Sequence, residues 1–308
     1  MLLALWLSLI LPSLLLKVLV DRPVTSDVSV PEETVGLYSV PLSLSVIMED
    51  GSLQQLELND YVTGVVLGEM PPEFHEEALK AQSVVARTYG LRTCLLAEKH
   101  AGAVCTDAGC CQAWRSQEDF LESGGTITQL AKIRSAVEST GQRVLYYEGQ
   151  LIEATFFACS GGSTEAAVSV WGTDVPYLQA VESPGEEGAE SFIKTVQFSK
   201  EACCQMLGIS SRNLQIGSVT YTSGGGVNTM EISGNMFTGI QLRQLLKLPS
   251  TAFYLTVIGD TVTITTRGHG HRVGMSQYGA DAMAVSGSKY SQILAHYYPN
   301  TVLAGYNP

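Results

Sequence analysis

The first twenty residues, MLLALWLSLILPSLLLKVLV, carry one charged side chain, Lys17. As a helix they would rise about 30 Å, the thickness of a bilayer's hydrocarbon core. Residues 1–20 therefore read as a transmembrane anchor, with Lys17 placed to snorkel to the interface. A cleaved secretion signal is the rival, but it calls for basic residues ahead of the apolar run and a small-x-small site behind it, and neither stands out. Lys17 and Arg22 follow the span, and the positive-inside bias alone would put the body in the cytoplasm. That pull is short and is partly offset by Asp21. Residues 21–36 (DRPVTSDVSVPEETVG) read as a polar tether, which leaves 37–308 as the folded body.

Within the body, alternation on either side of Asp50-Gly51 predicts a hairpin, and residues 75–99 have helical spacing of Ala78, Ala81 and Val85. Further helices are expected at 129–139, over KEACCQMLG and at 289–297. Strands are expected at 143–147, 151–158 and 252–266, and a glycine-dense loop at 268–279. There is no regular βαβ alternation, so the expected class is α+β. Mixed helices and antiparallel-rich sheets would form a grooved body, with two lobes around the groove as one arrangement. A net charge of −12 speaks against nucleic acid as a partner, because phosphate contacts need a basic surface. Thirteen Tyr against eight Phe suit a half-polar surface such as a carbohydrate groove.

Five places could carry chemistry. Glu69 ends an apolar run just before Pro71-Pro72, where desolvation would raise its pKa towards acid catalysis; the plain alternative is a solvated loop glutamate. Lys80 and Arg87 lie on one helical face and could read a hydroxyl-rich or anionic ligand, or could be snorkelling surface residues. His100, Cys105, Cys110 and Cys111 are four metal-ligand types within twelve residues; a disulfide or unpaired thiols are the alternatives. Ser160-Gly161-Gly162 allows close approach to backbone, with Thr164 and Glu165 following and Trp171 and Tyr177 able to stack on sugar rings. RGHGHRVGMSQYGA gathers His269, His271, Ser276, Gln277 and Tyr278 on a bending backbone.

Three blocks in this order, EMPPEFHEEALKAQSVVARTY, SGGSTEAAVSVWGTDVPYLQAVESPGE and GHGHRVGMSQYGA, resemble the stage II sporulation protein D family. These are membrane-anchored peptidoglycan lytic transglycosylases of endospore formers, and the resemblance runs over about residues 40–308. It implies cleavage of MurNAc–GlcNAc bonds to leave 1,6-anhydroMurNAc ends during engulfment. It also implies a stage II sporulation protein P-like amidase that strips stem peptides first, and a body on the extracytoplasmic side of the cell membrane. By the same likeness Glu69 is the catalytic acid/base, Lys80 and Arg87 line the glycan groove, and Ser160, His271, Ser276, Gln277 and Tyr278 fall in substrate-binding blocks.

Some proteins similar to this family hold zinc near a C-x4-H-C-Q run. Here the run is Cys105-x4-Cys110-Cys111-Gln112, with Cys110 where His is usual and His100 upstream, which implies a structural zinc. Arg272 stands where the family commonly has Gly. A rival class, the amidase enhancers, resembles the same domain and binds wall without cutting glycan. A zinc hydrolase is a weaker reading, because four protein ligands leave no position for water.

Overall fold

The computed structural model describes residues 42–97, 99–210 and 214–307. The anchor and tether expected over 1–36 lie outside them. Among the described residues no helix is long and apolar enough to cross a membrane. The fold is α+β with mostly antiparallel sheets.

The predicted hairpin is β1 (Ser43–Ile47) and β2 (Leu53–Glu57), paired from Ser43↔Glu57 to Ile47↔Leu53. The turn needs Gly51 at φ +82° and is closed by Ser52 N–H donating to Asp50 Oδ1 at 2.9 Å. The next element, α1 (Leu58–Glu69), was not expected. Val62, Thr63, Val65 and Val66 are β-branched and poor helix formers. Burial overrides that preference, for all three valines are fully inside. The helix ends at Glu69 because Met70, which precedes Pro71, takes an extended conformation (φ −124°, ψ 139°).

The predicted long helix is α2 (Glu76–Leu96). It runs through the main core, touching α1, the later helices and two sheets, so it is buried nearly all round. Its Ser83 and Thr88 hydroxyls donate back to Leu79 O and Val84 O, which lets them sit inside. β3 (Val104–Cys105) then pairs in parallel with β1. It is followed by α3 (Gln117–Glu122) and α4 (Ile127–Ser139), the latter started by a Thr126/Gln129 capping box.

Arg87 corrects the sequence reading. It is completely buried, so it cannot line a groove. Its guanidinium instead donates to Val137 O (3.2 Å), Thr140 Oγ1 (3.1 Å) and Arg143 O (3.1 Å), fastening the C-terminal end of α4 to α2. Burial lowers its pKa to about 10, so it stays charged at neutral pH. Arg87→Leu should therefore cost about 3 kcal/mol, because three acceptors lose a charged donor. Urea unfolding reads this as a lower midpoint. Unchanged stability together with weaker glycan binding would restore the groove role.

β4 (Arg143–Tyr147) and β5 (Gln150–Leu151) form a hairpin, and β6 (Phe156–Phe157) and α5 (Ala167–Trp171) follow. A second core lies under β7 (Ile193–Ser199), α6 (Lys200–Leu207), β8 (Ile216–Tyr221), β9 (Val227–Ile232), β10 (Asn235–Thr238), α7 (Gly239–Leu245), β11 (Phe253–Ile258) and β12 (Thr261–Arg267). These make two three-stranded antiparallel sheets, β10-β9-β8 and β11-β12-β7.

The chain then returns to the first core. β13 (Met275–Ser276) pairs in parallel with β6, Met275 beside Phe156. The expected loop over 268–279 thus ends early, since Gln277 already opens α8 (Gln277–Val285), capped by Ser276. α9 (Tyr290–Tyr297) and β14 (Val302–Gly305), which pairs with β4, complete the body.

Candidate active site

Glu69 is held by a close helix–loop contact. A Cβ on Gly64 would collide with the Trp114 ring, and one on Gly68 would come within 3.0 Å of Ala113 backbone. The Gly64-x3-Gly68 face of α1 is thus bare enough for residues 113–115 to lie against it, and Arg115 N–H donates to Gly64 O at 3.0 Å. That seats Ala113 N–H on Glu69 Oε1 at 2.7 Å. Gln112, one residue earlier, is buried and accepts from Tyr61 of the same helix at 2.8 Å. Sequence reading missed this donor; the i, i+4 glycines were its one visible trace.

Gln277 is the other neighbour. Burial raises the Glu69 pKa above the ordinary carboxyl value, while the Ala113 N–H and the Gln277 side chain pull the other way. Among the described residues no charged group contributes to this balance. Gln277 is itself buried, yet its Nε2 makes no hydrogen bond of normal geometry with any protein group. The site therefore offers a half-buried carboxyl that favours its protonated form and an amide donor at its side. Gln277→Ala removes an influence that favours the carboxylate. If protonated Glu69 is the active form, the alkaline limb of kcat/KM should move to higher pH in this variant, alongside a lower rate. An unmoved limb would separate the two groups.

The remaining candidates are brought near one another, but mostly as framework. Residues 156–165 and 269–278 are laced by bridges at Cys159–His269, Glu165–Val273 and Phe156–Met275. Ser160 is fully buried and donates to Glu186 Oε1 at 2.9 Å. Glu186 also takes the Ser160 and Gly161 N–H groups (2.7 and 3.0 Å) and the Ser183 hydroxyl (2.6 Å), so it shapes the Ser-Gly-Gly turn. Ser276 is likewise buried, accepting Gly279 N–H as a helix cap. His271 packs against Phe157 and Trp171, and its Nδ1 accepts Val273 N–H. Burial, aided by Arg243, lowers its pKa to about 4, so it is neutral near pH 7. Tyr278 is part-exposed and meets Phe74 edge-on at 5.0 Å, linking α8 to the loop after Glu69. Lys80 pairs with Glu76 (2.7 Å) and Glu77 (3.1 Å) of its own helix.

Glu165 and Arg272 form a buried pair at 3.2 Å that sequence reading did not connect. Arg272 sits at φ +66°, a conformation that favours glycine. Its side chain also reaches Ser160 O, Ser163 O and Gly224 O, while Glu165 accepts from Thr222 and Gly226 of the second core's sheet. This network joins the Ser-Gly-Gly turn to the second core. Glu165 is thus tied into the framework through Oε1, while its side chain also lines a small cavity with Ser169, Asn228 and Thr251.

The four metal-ligand types do converge. One ligand atom from each of His100, Cys105, Cys110 and Cys111 lies within 4.8 Å of all the others, and His100 Nε2 stands 3.2 Å from Cys110 Sγ. β3 fixes Cys105, and a turn in which Asp107 O accepts both Cys110 N–H and Cys111 N–H presents the adjacent thiols together. Burial and the neighbouring thiols push the Cys111 thiol up to about 12. Three thiols crowded beside an imidazole fit a metal ion, which would supply the charge their thiolates need. Among the described residues no disulfide joins these cysteines.

The chain is similar to known proteins. A family model described as stage II sporulation protein matches residues 49–147, the segment with Glu69, α2 and the His/Cys cluster. The chain is 38% identical over 276 residues to stage II sporulation protein D of Bacillus subtilis (strain 168), covering 87% of this chain and 80% of that one. It is 38% identical over 270 residues to the protein of the same name from Bacillus amyloliquefaciens, covering 85% and 78%. An amidase enhancer of Bacillus subtilis is 29% identical over 299 residues, covering 79% of this chain but 40% of the enhancer. With identity of this level across most of both chains, this protein belongs to the stage II sporulation protein D family.

Proposed function

We propose that the chain is a lytic transglycosylase of peptidoglycan, cutting MurNAc–GlcNAc bonds and leaving 1,6-anhydroMurNAc ends. The observation that carries this is Glu69: one half-buried carboxyl at the end of α1, taking the Ala113 N–H at 2.7 Å and pushed by burial above its ordinary pKa. One carboxyl suffices for this reaction. Protonated Glu69 donates to the glycosidic oxygen as the C1–O bond breaks. The muramoyl C6 hydroxyl then adds to C1, and Glu69 takes its proton and is restored. No water is added, so the second carboxylate of an ordinary glycosidase has no task. The Gln277 amide would orient the sugar beside Glu69, and Tyr278 would offer it a ring face.

In this reading zinc occupies His100, Cys105, Cys110 and Cys111 with all four positions filled by protein, so its part is structural. When bound, it would deprotonate the thiols and pin the loop that leads to Ala113. The body would work outside the membrane, held by residues 1–20, beside an amidase that removes stem peptides.

Peptide-free strands should be cut faster than peptide-bearing ones, as the family resemblance implies. Purified protein should release glycan fragments from amidase-treated sacculi well ahead of intact sacculi. Equal rates would reject the preference. The likeness to an amidase enhancer supports a second reading, a wall-binding helper that cuts nothing; in that case neither substrate is shortened, and an added amidase is accelerated.

A further inference from the structure

A cavity of about 550 Å³ lies where the last turn of α2, the β4–β5 hairpin and the end of β14 meet. Its size suits a ligand site, which typically spans about 300–1,000 Å³. It is away from Glu69. Tyr61 of α1 packs on Gly90 of α2, and Glu69 lies two turns from Tyr61 towards the start of α2, whereas the cavity takes the opposite end. The separation along the helix pair is on the order of 20 Å.

Four tyrosines line it: Tyr146, Tyr147, Tyr177 and Tyr306. Two are fixed by backbone, Tyr177 Oη accepting Glu153 N–H at 3.1 Å and Tyr146 Oη accepting Asn307 N–H at 3.3 Å. The Tyr147 and Tyr177 rings meet at 5.3 Å and 49°. Gln150 and Asn307 add neutral hydrogen-bonding groups, and the cavity's single cation, Arg92, is matched by one anion, Glu148. Leu95 and Leu96 form an apolar lip, 61% and 48% exposed.

We propose that this cavity is a second glycan-binding site, taking N-acetylated pyranoses of a wall strand at a distance from the bond that Glu69 cuts. The proposal rests on the reading of this chain as one that acts on wall glycan. A pyranose has an apolar C–H face and a rim of neutral hydroxyls. Pre-set phenol rings with amides beside them match both, and the leucine lip suits N-acetyl methyl groups. Each peptide-free MurNAc also brings one lactyl carboxylate, and Arg92 stands among the lining residues as a cation.

The test uses full-length Glu69→Gln protein with labelled leucine methyls, titrated with a peptide-free GlcNAc–MurNAc oligosaccharide. Leu95 and Leu96 methyl signals should shift saturably. Adding Tyr147→Ala should weaken that binding about five- to tenfold, as loss of a stacking ring does, while Tyr147→Phe stays within about twofold because the ring remains. The proposal is overturned if the oligosaccharide leaves these methyls unmoved. It is also overturned if Tyr147→Ala binds as tightly as its parent, or if stem peptide or an apolar peptide shifts the methyls and glycan does not. Because this protein need not cut anything, the titration stands apart from the catalytic reading, which fails separately if wild-type protein leaves strands whole.

Discussion

Glu69→Gln should lower glycan cleavage by about 10²–10⁴-fold, the usual cost of losing general acid/base catalysis. The substitution keeps the shape of the side chain, and its amide oxygen can still accept the Ala113 N–H that now meets Oε1 at 2.7 Å. What it loses is the proton. One group serves both halves of the proposed reaction, so its loss affects both. Binding of peptide-free strands should survive, because the contacts from Gln277 and Tyr278 are untouched. Cosedimentation of the variant with sacculi, beside a cleavage assay, reads both quantities. Near-normal cleavage by Glu69→Gln would remove Glu69 from the chemistry.

Metal removal should have the next largest effect, on the fold rather than on a bond-making step. Structural zinc sites of this ligand type can be worth about 10–16 kcal/mol in small peptides, a gain realised as folding. Here the four candidate ligands lie between the end of α2 and the segment that packs on Gly64 and Gly68. Cys105→Ser should therefore lower metal content and unfolding midpoint together, and activity with them. A chelator should do the same to the wild-type protein. Elemental analysis of protein purified without added zinc, run beside thermal unfolding, checks both. A metal content near zero with oxidised thiols and a reductant-sensitive midpoint would instead assign a disulfide.

What was legible in the sequence was local. The Asp50-Gly51 hairpin, α2, the Thr126-capped α4 and the strands of β11 and β12 each carry their period and their stop signals within a short window. The His/Cys cluster was legible for the same reason, with its four metal-ligand types inside twelve residues. α1 was hidden because its β-branched residues favour strand, and only burial against α2 makes them helical. Arg87 read as a groove-lining or surface cation, and Arg272 only as a residue standing where Gly is common. Their true partners are main-chain oxygens of distant segments, and for Arg272 also Glu165, and sequence spacing does not reveal such contacts. The site itself divides in the same way. Glu69 stood out beside Pro71, but its donor is a backbone group of Ala113. Gln277 reaches it because β13 lies against β6, a pairing of segments more than a hundred residues apart.

The central claim is that the glycosidic bond is broken without water. It is tested most directly by digesting amidase-treated glycan in water enriched in oxygen-18 and weighing the new ends by mass spectrometry. The proposed reaction closes C6–OH onto C1, so the products should be 1,6-anhydroMurNAc ends that carry no label. These should be absent when Glu69→Gln protein is used. Reducing ends that carry one labelled oxygen would show hydrolysis and contradict the account.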